Sequence, residues 1–240
     1  MPKTLVFEVW GKYAHFKKIY ATTTAVSYLI PPKTALYGMV AAIIGLDKTD
    51  NAYLQHFEPD ACKMALQLLK PVVMQRVNTN LRPHLGRLKD TDNRKPTMIE
   101  YIYQPAYRIY FTHSQPTIYQ TLQQHLAQHK AVYTPTFGLA GLLVNFKFLG
   151  EFTFETLQNP PETLIHSVIP MSRFVAFGNN FTLQSEIVEI SQYAVEMNTN
   201  RIVTLREDIL IDRKAQPIPA TVTHLEQVNL PQETLNVVMF

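Results

Sequence analysis

With 240 residues, 46% of them apolar and 17% charged, the chain has the length for one large folded unit or two small ones and is too apolar to be disordered. A single cysteine, Cys62, excludes an internal disulfide and a cysteine-cluster metal site, and makes a reducing, cytoplasmic setting the expectation. The net charge is only +3, but between Arg76 and Lys95 the basic residues Arg76, Arg82, Arg87, Lys89, Arg94 and Lys95 face only Asp90 and Asp92, so the remainder is near neutral.

The N-terminus runs straight into a strand pattern without the apolar stretch of a signal peptide. The longest apolar run, Ala35–Leu46, is too short to span a bilayer, so neither export nor a membrane is expected. Leu5–Gly11 alternates and predicts a strand. Behind it, Lys12, Lys17 and Lys18 mix with Tyr13, His15 and Phe16. Cations with rings can hold phosphates and stack bases; a strand end with surface lysines reads equally well. Ala25–Ile30 predicts a short strand. Pro31 and Pro32 precede Thr34, whose hydroxyl can cap a helix running to about Leu46, with Gly45 at its end. Gly38 inside that helix costs about 1 kcal/mol relative to alanine. Close approach of another backbone, a packed sheet or a ligand would justify it.

Asn51–Cys62 predicts a short helix, and Lys63–Arg76 a strand bent near Pro71. Residues 76–97 predict a loop or a long two-stranded arm. Residues 98–113 alternate as β, with Tyr101, Tyr103, Pro105, Tyr107, Ile109 and Phe111 on one face, read as packed core. Arg108 and Tyr110 point the other way, where RNA could meet them. Ser114–Lys130 is the clearest helix, with Pro116 in its first turn and Ile118, Leu122 and Leu126 recurring every four residues. Residues 134–154 predict a turn, a glycine-containing apolar stretch and a strand. Pro160 and Pro161 mark a boundary before a β-rich tail.

The order β-α-β-β-α-β predicts an α+β, ferredoxin-like fold with the basic arm inserted as a β-hairpin, of the kind many RNA-binding domains use. The domains expected are 1–160, with the arm at about 76–98, and a small β-rich domain at 161–240. The arm's cations suit phosphate contact, against the plainer reading of a solvated loop. His125 and His129 have a zinc-helix spacing but no glutamate between them, and read as solvated. His113 with its neighbouring tyrosines, and His15 with Lys12 and Tyr13, are candidate acid–base sets for metal-free RNA cleavage, neither more specific than chance clustering. No P-loop, nucleophile elbow or dinucleotide fingerprint is present, and no metal or cofactor is expected.

LVFEVWGKYAHFKK followed by SYLIPPKTALYGMVAAIIGL resembles the opening of the CRISPR-associated protein family five, RAMP-superfamily subunits of type I Cascade complexes. The resemblance rests on Gly11, Lys12–Lys18, Pro31–Thr34 and Gly38 in combination. YTPTFGLAGLLVNFKFLGEF (133–152) is similar to a second family segment, with Phe137 where leucine is usual. The resemblance covers residues 1–155 well and the tail loosely. It implies a ferredoxin-like domain whose β-hairpin thumb is the basic arm. It also implies a non-catalytic subunit that holds the 5′ handle of crRNA and caps the backbone filament in antiviral defence. The neighbouring backbone subunit, the large PAM-reading subunit and target DNA would lie close by. In one subtype the family member itself cuts with Tyr, Lys and His; that trio is not matched here, since Tyr37 lies in the first helix and His113 ends a strand, but Thr112 and not a lysine precedes His113. The arm and tail favour a subtype with a separate processing enzyme, with type I-B the expectation.

On this reading Lys12, Lys17, Lys18, Arg76, Arg82, Arg87, Arg94 and Lys95 contact phosphates, and Tyr13 or Phe16 stacks a base. Gly38 and the Gly138–Gly141 turn let RNA approach bare backbone, and Arg108, Lys147 and Arg173 add lesser contacts. The competing expectations are a metal-independent endoribonuclease that processes precursor crRNA, and an assembly protein whose arm grips an acidic partner.

Overall fold

The computed structural model describes residues 1–18, 25–81 and 95–240. In chain order the elements are β1 (Lys3–Gly11), β2 (Tyr13–Ala14), α1 (Lys33–Ile44), a 3-10 helix (Thr49–His56), β3 (Cys62–Leu68), β4 (Val73–Leu81), β5 (Lys95–Tyr103) and β6 (Ala106–His113). Then follow α2 (Pro116–Ala127), β7 (Val144–Gln158), β8 (Thr163–Ile165), β9 (Ile169–Pro170), β10 (Phe174–Phe177), β11 (Ile187–Met197), β12 (Val203–Asp212), β13 (Ile218–Val222), β14 (His224–Asn229) and β15 (Thr234–Val237). The fold is mixed α/β and mostly β.

Alternation in β1 sends Leu5, Phe7 and Val9 to one face and Val6 to the other, and both faces are buried. β1 therefore sits inside a six-stranded antiparallel sheet of order β15-β14-β7-β1-β6-β3. α1 and α2 cover the first face, where Leu36, Val40 and Leu122 join Phe7, Ile109 and Phe111 in one core. Val228, Leu235, Val237 and Met239 cover the second face, against Val6, Ala65 and Tyr110. The covering strands reach it because β7 changes partner midway: through Thr153 it pairs with β1, and from Phe154 with β14. A register shift opposite Val6 and Phe7, with Gly150 at φ +148°, bends β7 and curls the sheet. Two three-stranded sheets, β10-β13-β8 and β11-β12-β9, complete the tail, and β2-β5-β4 form the arm.

Several elements differ from the pattern in the sequence. Pro32, not Thr34, occupies the cap position of α1, and its carbonyl accepts the amides of Ala35 and Leu36. Gly45 does end the helix, in the left-handed conformation at φ +78°. The second helix is a 3-10 segment, and the strand expected over 63–76 is two strands parted around Pro71. Residues 25–30 form no strand; Ala25 and Ser27 make isolated bridges to Ile99 and Lys17. The long strand expected over 98–113 is broken into β5 and β6, which belong to different sheets. Among the described residues no helix is long and apolar enough to cross a membrane.

Candidate nucleic-acid interface

The break between β5 and β6 builds the most distinctive surface. Gln104 takes φ +49°, and Pro105 has no amide to donate to a ladder. The Gln104 amide donates to the Lys12 carbonyl and the Gly11 amide to that of Pro105, which clamps the kink to the β1–β2 turn. Alternation restarts after the kink. Tyr107 enters the core at 2% exposure, while Tyr101 and Tyr103 go to the arm, half-buried. The sequence pattern had put all three on one core face; the backbone reversal at Gln104 separates them.

On the arm β4 and β5 pair over nine positions, from Val73 opposite Tyr103 to Leu81 opposite Lys95. β2 adds a third strand, with Tyr13 opposite Tyr103. The Tyr13 ring centroid lies 5.5 Å from those of both Tyr101 and Tyr103, and His15 meets Tyr101 edge-on at 5.9 Å. Lys12 Nζ stands 5.9 Å from the Tyr13 centroid. Three half-buried tyrosines on one face of the β2-β5 pair, with a cation over one of them, are of the kind that can serve as a stacking platform. Sequence reasoning found Tyr13 and missed Tyr101 and Tyr103; the signal was Pro105, which it placed on the core face within one continuous strand.

The expected phosphate contacts are divided. Lys12 and Lys17 are exposed, and Lys18 Nζ stands 5.9 Å from the Tyr28 ring centroid. Arg76 is exposed but pairs with Glu100 at 2.9 Å, which offsets much of its charge. Arg82, Arg87 and Arg94 lie outside the described residues, as does the side chain of Lys95, whose backbone opens β5.

Other expected contacts are used internally. Phe16 is 5% exposed and packs edge-on against Phe137, so it supports the loop before β7 and presents no face to a base. Arg108 bonds Glu8 at 2.9 Å and Glu233 at 3.3 Å, and beside it Tyr110 is fully buried with its hydroxyl donating to Gln67; neither is open to RNA. Lys147 is exposed but stands opposite Glu8, on the sheet face of Arg108. Arg173 lies in the tail, half-buried, with its Nε unpartnered, and the structure does not bring it to the platform.

The glycines divide too. Gly138 takes φ +92°, and a Cβ there would collide with the His15 carbonyl oxygen, so only glycine fits. Gly141 is exposed with open space around it. Gly38 was expected to mark close approach of another backbone, the sheet or a ligand such as RNA; among the described residues a Cβ there would meet nothing within 4 Å, so no close approach within the protein accounts for it. It faces a cleft of about 660 Å³ between α1, the loop before β7 and the 3-10 helix.

The candidate acid–base groups are held in structural roles. His15 is 5% exposed, and its Nδ1 lies 2.7 Å from the Glu100 carbonyl. His113 Nδ1 accepts the Gln115 amide, so its Nε2 carries the proton and donates to the His56 carbonyl at 2.6 Å. Burial lowers the pKa of His113. Tyr37 is fully buried, its hydroxyl has no hydrogen-bond partner among the described residues, and burial raises its pKa far above the usual phenol range. Phe57 stacks on Tyr37 at 4.8 Å and meets His113 edge-on at 6.3 Å, filling the space these two would need for chemistry on a phosphate. His129 lies against Phe146, and among the described residues no group of three metal-ligating side chains occurs.

Comparison with known proteins adds a family. The family described as CRISPR-associated protein (Cas_Cas5) matches residues 4–131, more than half of the chain. No curated protein matches significantly in sequence. Among solved structures, a CRISPR protein from Archaeoglobus fulgidus aligns over 98% of this chain and 99% of its own, with a TM-score of 0.51 and 12% identity. A chain of a CRISPR RNA-guided surveillance complex aligns over 90% and 91%, with a TM-score of 0.46 and 12% identity. At such identity the likeness to the Archaeoglobus fulgidus protein is one of fold.

Proposed function

The chain belongs to the CRISPR-associated protein (Cas_Cas5) family, and we propose that it is a non-catalytic, RNA-binding subunit of a type I CRISPR surveillance complex. In this reading it holds the 5′ handle of crRNA across the arm and caps the backbone filament beside the large subunit. The observation that carries the reading is the Tyr13–Tyr101–Tyr103 platform, with Lys12 over it, at the root of a two-stranded arm whose sequence continues into the most basic stretch of the chain. Rings stack unpaired bases without regard to sequence, and cations hold the phosphates between them.

The topology supports a ferredoxin-like reading. β7-β1-β6-β3 are neighbours in that order, α1 follows β1, α2 follows β6, and the arm is inserted between β3 and β6. A non-catalytic role is supported by the neutral, doubly bonded His113 and the buried Tyr37. Protein partners are supported by exposed apolar side chains on the tail, where Phe177 is 47% and Phe181 43% exposed.

The test is binding of single-stranded repeat RNA by the purified chain and its variants. Tyr101→Ala should weaken binding about tenfold, as expected for one unstacked base. Arg87→Ala and Arg94→Ala should each flatten the salt dependence, by about 0.7 in the log–log slope for every phosphate no longer neutralised. Unchanged affinity in Tyr101→Ala, together with an unchanged slope in both arginine variants, would sink the reading.

A further inference from the structure

We propose that the cleft along α1 seats one unpaired nucleotide of the RNA that crosses the tyrosine platform; this rests on the RNA-binding reading and adds a specific pocket to it. The first observation is Gly38. Glycine is the poorest helix former after proline, yet among the described residues neither backbone nor side chain needs its smallness, because a Cβ would meet nothing within 4 Å. With Ala35 and Ala42, which flank it on the same side of α1, it leaves a bare wall. The space in front is about 660 Å³, within the range of small-ligand sites and ample for one nucleotide.

The remaining walls suit that occupant. Tyr53 and Tyr133 line the cleft, and Lys48 and Arg201 are its exposed cations. Asp47 is the acid among the lining residues, and its carboxylate is engaged by the Thr49 amide at 2.8 Å. The cleft is preformed. The Val132 and Tyr133 amides donate to the Ile43 and Ala42 carbonyls at the end of α1, fixing the tyrosine wall. Asn51 Nδ2 donates to the Thr199 carbonyl at 3.0 Å, fixing the turn that carries Arg201.

Position connects the cleft to the platform. Gly138 lines the cleft and packs on the His15 backbone, two residues beyond Tyr13. The cleft and the segment that carries Tyr13 thus meet where Gly138 packs on the His15 backbone. A protein segment would also fit an apolar wall, but the two cations and two phenol rings favour a base with its phosphates.

The experiment uses the full chain and single-stranded RNA copied from the 3′ end of its own locus's repeat, with 2-aminopurine at one position at a time. The wild type should set one position apart from its neighbours in emission. Gly38→Leu, whose Cβ has open space and whose branched end projects into the cleft, should erase that signal and weaken binding about tenfold, while Tyr101→Ala weakens binding and leaves a distinct position. Melting temperature verifies folding; should Gly38→Leu not fold, the exposed substitutions Tyr133→Ala and Arg201→Glu should produce the same loss. Binding with an emission profile that these cleft variants leave unaltered would overturn the cleft and leave the platform reading standing. No binding by the wild type would overturn both.

Discussion

Lys33 opens α1 with a side chain only 2% exposed. Its ammonium has no ion pair among the described residues; it stands 5.7 Å from the Tyr37 ring centroid and 5.3 Å from that of Phe240. Burial brings its pKa from 10.5 down to about 8, against weaker opposing pulls from Cys62, Glu196 and Glu207. The folded chain thus binds fewer protons than the unfolded chain between pH 8 and 10.5, and stability should rise with pH across that window. Below pH 8 the whole cost applies, about 3 kcal/mol at pH 7, and it is partly relieved by pH 9.5. Lys33→Met keeps the aliphatic stem and removes the charge. The two ring contacts return about 1 kcal/mol together, so the variant should be about 2 kcal/mol more stable than the wild type at pH 7. That advantage should shrink as pH rises from 8 and vanish only above about pH 10.5, where the amine is neutral in both states. Urea unfolding of both proteins at the two pH values reads the difference, and tyrosine titration cancels between them. A variant less stable at pH 7, or a gap independent of pH, would mean that the buried ammonium carries no such cost.

The two glycines make opposite predictions. Gly38→Ala should raise stability by about 1 kcal/mol, visible as a higher melting temperature, because the new methyl meets nothing and the helix sheds its weakest residue. A lower melting temperature would reveal a contact that the open cleft denies. Gly138→Ala should cost more than about 1 kcal/mol, since φ +92° strains the backbone and the methyl collides with the His15 carbonyl. Calorimetry showing no loss would mean the loop before β7 is not fixed as described.

Local pattern was enough wherever one periodicity ran unbroken. β1 alternates, α2 repeats Ile118, Leu122 and Leu126, and Gly45 ends α1 as a glycine should. The pattern misled where backbone geometry changed the register. Gln104 reverses φ and moves Tyr101 and Tyr103 from the expected core to the arm, which turned a packing motif into the best candidate interface. Distant partners were illegible for a different reason. Arg108 is held by Glu8 and Glu233, 100 and 125 residues away, and nothing near it in sequence announces either. Phe16 looks like an exposed ring in a basic segment until Phe137 covers it. The cleft combines α1 with Arg201 from the other end of the chain, so Gly38 could be singled out as odd but its purpose could not be assigned.

Whether the chain binds guide RNA without cutting it decides the proposed function. Labelled repeat RNA from its own locus, incubated with the purified protein in EDTA and run on native and denaturing gels side by side, tests both halves at once. The expected outcome is a shifted band on the native gel and intact RNA on the denaturing one. Discrete cleavage would be incompatible with the structural roles given to His113 and Tyr37, and absence of any shift would rule out the tyrosine platform as an RNA-binding surface.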